Sequence, residues 1–342
     1  MSSRRVARRA VQLLLFALVL WGIYRVLAPE LDRLTLDDLN RWRPATLPLL
    51  ASFALLVAVY LVHALIWRRM LGDLSIGRPS VHTSLRVYFL SSLGRYIPGK
   101  LWQLAGLAVL AQRAGLPPAP AAATAVLGQF GFLTTGLLFL GVVLPEWRTV
   151  LDPAAGSAGA ASAPSGAALP LALGAAMLVA GSAALWLLVA TPIGRGFRHR
   201  VLAAVGDAAG SRIAGAFDLA DRVRPADAAI WAAAYAASWV VLGAAFTLFV
   251  AAFEPTAVTA PRYLSGAVAA SYLAGYLFVL APAGIGVREA AMLVLLQPVL
   301  PGAGAALVVS ASSRLWFTAA ELVPLALLPL FPNRDSNEEE PT

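Results

Sequence analysis

The stretch Leu280-Ala-Pro-Ala-Gly-Ile-Gly-Val-Arg-Glu-Ala-Ala-Met292 decides how the chain folds. It lies within a long apolar run and interrupts that run with a proline and two glycines, Gly284 and Gly286, just before Arg288 and Glu289. Because hydrocarbon offers no water to backbone groups, a broken helix is tolerated there only when it is buried in protein or lines a wet cavity. Charges at that depth are costly and indicate function. The stretch therefore predicts a site inside a membrane protein.

A second break of the same kind occurs much earlier, in Gly94-Arg-Tyr-Ile-Pro-Gly-Lys-Leu-Trp-Gln103. Here Pro98 and Gly99 interrupt the apolar run, and Arg95 and Lys100 flank them. Interrupted apolar segments in corresponding places of two halves of a chain are typical of transporters, whose binding sites form at such breaks. The pair of breaks therefore favours a transporter-like site.

Composition places the whole chain in a membrane. Of its 342 residues, 59% are hydrophobic and 13% are charged, whereas a soluble domain has about half apolar and a quarter charged residues. Most of the arginines behind the net charge of +8 adjoin apolar spans, where they act as topology signals and contacts to anionic lipid. We therefore expect no nucleic-acid partner. With no Cys and three widely separated His, the sequence predicts neither a metal site nor a cofactor.

The predicted fold class is all-α, a polytopic membrane protein with about six full spans and two re-entrant or broken helical hairpins. The spans are expected over about 11–28, 47–67, 121–144, 169–190, 226–253 and 305–331. The broken segments, over about 84–112 and 263–300, are long enough to cross. Re-entry of the first keeps the arginine-rich loop 191–225 in the cytoplasm, as the positive-inside rule requires, and the N-terminus is then cytoplasmic too.

On this topology the chain is a single membrane domain, 1–342, made of two similar halves. The halves, about 1–150 and 165–332, each contain span, span, hairpin and span, but the first starts inside and the second outside. That order predicts an inverted repeat, an architecture that builds binding sites near the membrane midplane. Residues 333–342 form a polar cytoplasmic tail.

Several motifs resemble those of the lysylphosphatidylglycerol synthase transmembrane family. Gly-Ile-Gly-Val-Arg-Glu at 284–289 resembles its signature, the run 95–99 resembles its earlier motif of a basic residue before Pro-Gly, and Arg314 followed by Glu321 resembles its last-span pattern. The resemblance covers nearly the whole chain. It implies a lipid-translocating domain in a bacterial inner (plasma) membrane, like the flippase half of the bacterial multiple peptide resistance factor. We expect a stand-alone domain without the aminoacyl-transferase part, so lysyl-lipid synthesis is not implied.

The candidate headgroup site combines both breaks. A helix beginning after Gly286 would present free N–H groups and a positive dipole to an anion, and Arg288 could clamp a phosphodiester. Gly284, Gly286 and Arg288 are therefore candidate lipid-phosphate contacts. Arg95 and Lys100 are their counterparts at the first break, with anchoring at the membrane interface as the alternative role.

Three further charges are candidates for ion or proton coupling, or for charge pairing. Glu289 is expected to receive a cationic group or a coupling proton; in the alternative it favours the helix dipole and pairs with Arg314 as a structural lock. Arg314 and Glu321 are two turns apart on one face of the last span, where Glu321 is either a proton carrier or a charge-paired packing residue. The run from Gly94 to Lys100 superficially resembles a P-loop, but Leu101 replaces the required Ser or Thr, which excludes nucleotide binding there.

The leading functional prediction is a non-enzymatic lipid flippase or translocase. It would move an anionic or headgroup-modified lipid, aminoacylated or linked to polyprenyl phosphate, between leaflets, with a membrane phospholipid or polyprenyl lipid as its partner. One alternative is an integral-membrane scaffold for a cell-envelope glycosyltransferase or lipid-modifying enzyme, recruited through the basic loop. The other is a membrane headgroup transferase, which would need an acidic metal-binding pair or a general base.

Overall fold

The computed structural model describes residues 43–96, 101–143, 222–277 and 286–328, together with 196, 219 and 284. Over these residues the regular structure is entirely helical, so the predicted all-α class is confirmed. The helices are α1 (Thr46–Asp73), α2 (Val81–Ser92), α3 (Leu101–Arg113), α4 (Pro118–Val143), α5 (Pro225–Phe253), α6 (Pro261–Leu277), α7 (Val287–Leu296) and α8 (Ala303–Leu327). Short 3-10 turns occupy Leu93–Tyr96, Pro255–Thr259 and Gln297–Val299.

Four helices, α1, α4, α5 and α8, are long and apolar enough to cross a membrane. The shortest of them, α8, has 25 residues, which gives a length of about 37 Å at ~1.5 Å per residue against a hydrocarbon core of roughly 30 Å. They coincide with the predicted spans at about 47–67, 121–144, 226–253 and 305–331. The other two predicted spans, 11–28 and 169–190, lie outside the described residues, and the total of six stays a prediction.

Each predicted break lies in the chain between two shorter helices, and those two helices pack side by side. In the first pair, α2 with 12 residues and α3 with 13 are both too short to cross alone, since a span needs about 20 residues. They run antiparallel, because a methyl group at Gly94 would lie 2.6 Å from the backbone nitrogen of Gln103, and one at Gly106 would lie 3.9 Å from Cα of Ser91. Residues 97–100, which include the predicted break itself, are outside the described residues.

The second pair, α6 and α7, has the same antiparallel form. Near its open end the Tyr263 hydroxyl donates to the carbonyl of Leu295 at 2.9 Å. At the end of the pair near the break, the backbones of Gly275 and Gly284 are close together. A methyl group added to Gly275 would lie 3.5 Å from Cα of Gly284. Both breaks are thus helical hairpins whose arms are brought together at glycine. Whether either hairpin re-enters the membrane from one side stays a prediction.

The most extensive helix packing in the described structure is between the antiparallel helices α1 and α5. At one end the N–H of Ala45 donates to the carbonyl of Ala252 at 2.7 Å, and at the other the Trp231 indole donates to the Asp73 carboxylate at 3.0 Å. Small residues bring α4 close to this pair, since a methyl group at Gly128 would lie 2.6 Å from the Tyr235 hydroxyl oxygen. Close approach through small residues is how membrane helices gain packing energy, because lipid supplies no hydrophobic drive between them.

Helix pairings in the two parts of the structure correspond. The first hairpin packs through α2 against α8, and the second packs through α6 against α4. Each hairpin therefore lies against the last long helix of the other part. The predicted halves 1–150 and 165–332 extend beyond the described residues, and their relation as an inverted repeat stays a prediction.

Candidate functional site

The second break owes its shape to two glycines. Gly284 has φ +69° and Gly286 has φ +87°. Residues that carry a Cβ atom rarely adopt such positive φ angles. At Gly284 a methyl group would also lie 2.7 Å from the carbonyl oxygen of Gly275. The turn delivers the chain into α7, and the Glu289 carboxylate reaches back to accept the Gly286 N–H at 2.6 Å. Gly286 therefore supplies the turn, and its amide hydrogen is already bonded.

Arg288 is the most unusual side chain at this break. It is only 9% exposed, and its guanidinium carbon lies 3.6 Å from the ring centre of Phe317 and 4.9 Å from that of Tyr272. Its Nε and Nη2 atoms are buried and find no hydrogen-bond acceptor among the described residues. Buried charges in proteins are normally paired and hydrogen-bonded. Arg288 thus presents a positive charge with unfilled donors.

Arg95, at the first break, is hydrogen-bonded and paired with a carboxylate, unlike Arg288. Its Nη1 donates to Oε1 of Glu321 at 2.7 Å, and its Nε donates to the carbonyl of Ser92 at 3.2 Å. Exposure of the two side chains in the ion pair is 24% for Arg95 and 6% for Glu321. The pair fastens the first hairpin to α8 and joins residues 226 positions apart, which neither sequence motif predicts alone.

A second ion pair fastens the other hairpin to the same helix. Nη1 of Arg314 lies 3.6 Å from Oε1 of Glu289, and the Ser310 hydroxyl donates to the Glu289 carbonyl at 2.8 Å. This is the geometry of the structural lock that the sequence offered as the alternative for Glu289. Helix α8 therefore holds both hairpins, through Arg314 and, two turns later, through Glu321.

The charged side chains surround a cavity of about 90 Å³ between the two hairpins and α8. Its described lining comprises Arg95, Gln103, Gln129, Tyr272, Gly275, Tyr276, Gly284, Arg288, Arg314, Phe317, Thr318 and Glu321. Most of the predicted site residues thus meet in one place. Glu289 is not in the described lining but lies 3.6 Å from the lining residue Arg314. Gly286 lies in the chain between the lining residues Gly284 and Arg288, and Lys100 lies outside the described residues.

A larger chamber of about 390 Å³ continues from this cavity, with which it shares Arg95, Gln103, Gln129, Tyr272 and Tyr276. Aromatic rings from α1, α2, α4 and α5 supply much of the remaining wall: Tyr60, His63, Trp67, Tyr88, Phe130, Phe132 and Tyr235. No sequence motif indicates the chamber. The sequence signal for it is the series Tyr60, His63 and Trp67 on one face of α1. Aromatic residues at that helical spacing ordinarily indicate core packing.

The formal charges around the cavity do not cancel. Its described lining includes three arginines, Arg95, Arg288 and Arg314, and one carboxylate, Glu321. The carboxylate of Glu289 adds a second negative charge beside Arg314. One positive charge remains among these residues, and the geometry assigns it to Arg288. The cavity is therefore suited to an anion.

These features define a class: a polytopic α-helical membrane protein with an electropositive cavity where two helical hairpins meet. Within that class the chain belongs to the family described as the lysylphosphatidylglycerol synthase TM region, whose model matches residues 9–323. The match contains both breaks and the Arg314 and Glu321 positions, so the family resemblance is confirmed. No curated protein and no solved structure matches the chain. Family membership supports a membrane protein related to lipid modification or translocation.

Proposed function

We propose that this protein is a non-enzymatic lipid translocase, which carries the anionic headgroup of a membrane phospholipid or polyprenyl lipid through the cavity between its two hairpins. The observation that carries the proposal is the buried guanidinium of Arg288, which faces the cavity with Nε and Nη2 unbonded among the described residues. The proposed setting is a bacterial inner membrane, with the N-terminus in the cytoplasm.

A lipid phosphate would satisfy Arg288 completely. It supplies the missing negative charge and two oxygens, and arginine binds such groups through paired, charge-assisted hydrogen bonds. The same arginine without a ligand is costly, because stacking over Phe317 and Tyr272 offsets only part of the free energy lost when a guanidinium leaves water. An unpaired arginine beside a cavity is therefore better explained by a ligand than by packing.

The two ion pairs on α8 suggest how access to the cavity could alternate. Arg95–Glu321 holds the first hairpin and Glu289–Arg314 holds the second. Since each pair involves a different hairpin, one can open while the other stays closed. In such a cycle the headgroup passes between the hairpins, the tails stay in the bilayer, and ion gradients, membrane potential or lipid concentration provide the drive.

Leaflet exchange in liposomes tests the proposal. The purified protein is reconstituted with tail-labelled anionic phospholipid, and the rate at which label becomes accessible to an external quencher is compared with that of protein-free liposomes. We expect rapid exchange with the wild type and none above background with Arg288→Met. The control is Arg69→Met, which removes a half-exposed arginine paired with Asp73 at 3.2 Å, on α1 and outside the described cavity lining.

Arg69→Met should exchange lipid at the wild-type rate. A correctly folded Arg288→Met protein that exchanges lipid as fast as the control would overturn the role of Arg288. A wild-type protein that exchanges neither phospholipid nor polyprenyl phosphate would overturn the translocase itself and favour the scaffold alternative.

A further inference from the structure

The chamber beside the cavity has the size of a ligand site rather than a packing gap. Small-molecule sites in proteins have volumes of about 300–1,000 Å³, and the chamber, at about 390 Å³, lies within that range. The charged cavity, at about 90 Å³, falls well below it and suits only a small group such as a phosphate. Because the two volumes share lining residues, one headgroup can occupy both.

The chamber wall carries hydroxyl and amide groups among aromatic faces. Tyr60, Tyr88 and Tyr235 line it from three different helices, and Gln103 and Gln129 lie where it joins the cavity. Tyrosine and glutamine side chains both donate and accept hydrogen bonds, while aromatic rings pack against apolar faces. This combination fits a group that has both hydroxyls and C–H surfaces.

Gln129 gives an independent sign of a missing polar partner. Its side-chain nitrogen is buried and has no hydrogen-bond partner among the described residues. Buried polar side-chain atoms are bonded in the large majority of cases. The unbonded nitrogen of Gln129 and the unbonded nitrogens of Arg288 line the same cavity, so a ligand bound there can satisfy both.

The described charges disfavour a cationic headgroup in the chamber. The described lining of the chamber contains no carboxylate, and its one formal charge is that of Arg95. The nearby carboxylates are engaged: Glu321 accepts from Arg95, and Glu289 accepts from Gly286 and adjoins Arg314. An ammonium group in the chamber would therefore find no free carboxylate among the described residues to replace its lost hydration, and a buried charge without such a partner is costly.

From these observations we infer that the chamber holds an uncharged, hydroxyl-rich headgroup, a glycerol or a sugar, on a lipid whose phosphate binds Arg288, and that it rejects headgroups bearing an amine. The inference rests on the proposed function. It predicts that this chain does not translocate the lysylated lipid that appears in the family's name. The rival occupant is a quaternary ammonium, which aromatic cages also bind. The absence of a carboxylate from the described chamber lining, together with the engagement of Glu321 by Arg95, favours the polyol.

The test compares four lipids with identical labelled tails in the liposome assay: phosphatidylglycerol, phosphatidylinositol, lysylphosphatidylglycerol and phosphatidylcholine. The wild type should exchange the first two at least about tenfold faster than the last two, the discrimination expected from burying one charge without a counter-charge. If no lipid exchanges, the proposed function fails. If lysylphosphatidylglycerol or phosphatidylcholine exchanges as fast as phosphatidylglycerol, translocation stands and the polyol inference is overturned.

Charge reversal inside the chamber makes the test specific. Gln129→Glu adds a carboxylate of nearly unchanged shape, so the ratio of lysylphosphatidylglycerol to phosphatidylglycerol exchange should rise about tenfold. The matched variant Gln129→Met removes the amide without adding charge, so it should slow the exchange of both lipids without the tenfold rise in that ratio. Gln103→Glu is the second variant, for use if Gln129→Glu does not fold. An unchanged ratio in the folded glutamate variant would overturn the inference.

Discussion

The two hairpins differ most in what they do with an arginine. Arg95 and Arg288 each lie at a break, and both line the same cavity. Arg95 is neutralised by Glu321 at 2.7 Å, whereas Arg288 lies over Phe317 and leaves two nitrogens unbonded among the described residues. The first arrangement holds a hairpin in place. The second leaves a charge without an acceptor among the described residues, so we expect a structural role for the first motif and propose a binding role for the second.

The largest effect is expected from a methyl group at the second break. Gly284→Ala combines a positive φ of +69° with a contact of 2.7 Å to the Gly275 carbonyl oxygen, so we expect loss of the folded protein. Gly115→Ala separates the two causes, since Gly115 has φ +74° and open space around it; it should cost only about 1 kcal/mol. Thermal unfolding in detergent, followed by circular dichroism, measures both. Equal melting temperatures would contradict the close packing of the hairpin arms.

Glu321→Gln should make the first hairpin resemble the second. It removes the charge that neutralises Arg95 and leaves a buried cation, which costs about 2–4 kcal/mol, below the full value for a buried pair because the Arg95 side chain is 24% exposed. Denaturant or thermal unfolding gives the difference. A variant as stable as the wild type would show that Arg95 does not depend on Glu321.

Arg288→Met should have the reverse effect on stability. The change removes an unbonded buried cation, a gain of about 1–3 kcal/mol, and loses the stacking over Phe317, worth about 0.5–2 kcal/mol. We therefore expect lipid-free protein in detergent to be no less stable than the wild type, whereas Arg95→Met should be clearly less stable. A melting temperature that falls as much in Arg288→Met as in Arg95→Met would make both arginines structural.

Glu289→Gln should produce the smallest effect. The amide oxygen can still accept the Gly286 N–H, and the ion pair with Arg314 spans 3.6 Å between partly exposed side chains. The cost should be about 0.5–1 kcal/mol, with lipid exchange within about threefold of the wild type if Glu289 serves as a lock. Lost exchange in a stable Glu289→Gln protein would instead assign the carboxylate to ion or proton coupling.

Much of this architecture is accessible from the sequence, because apolar length and helix-breaking residues are local signals. Four spans and both breaks follow from runs of hydrophobic residues and from residues such as Pro98, Gly284 and Gly286. The candidate charges Arg95, Arg288, Arg314 and Glu321 follow from their cost in a membrane. These residues do meet in one cavity.

The sequence does not predict how those charges pair, and it does not predict the chamber. Arg95 finds Glu321 only because α2 packs against α8, and no local pattern encodes which helices will be neighbours. The chamber draws its wall from several helices, and each contributes residues such as Tyr60 or Tyr235 that are indistinguishable in sequence from core aromatics. Likewise, the sequence predicts free N–H groups at the start of α7, but the Gly286 N–H donates to the Glu289 carboxylate.

The most direct test is native mass spectrometry of the purified protein with phosphatidylglycerol. The wild type, Arg288→Met and the control Arg69→Met are compared for retained lipid at equal protein and lipid concentrations. If Arg288 is the open anion site, the wild type and Arg69→Met will retain one lipid that Arg288→Met loses. Retention of that lipid by folded Arg288→Met protein would contradict the assignment of the free charge as the site of lipid-phosphate binding.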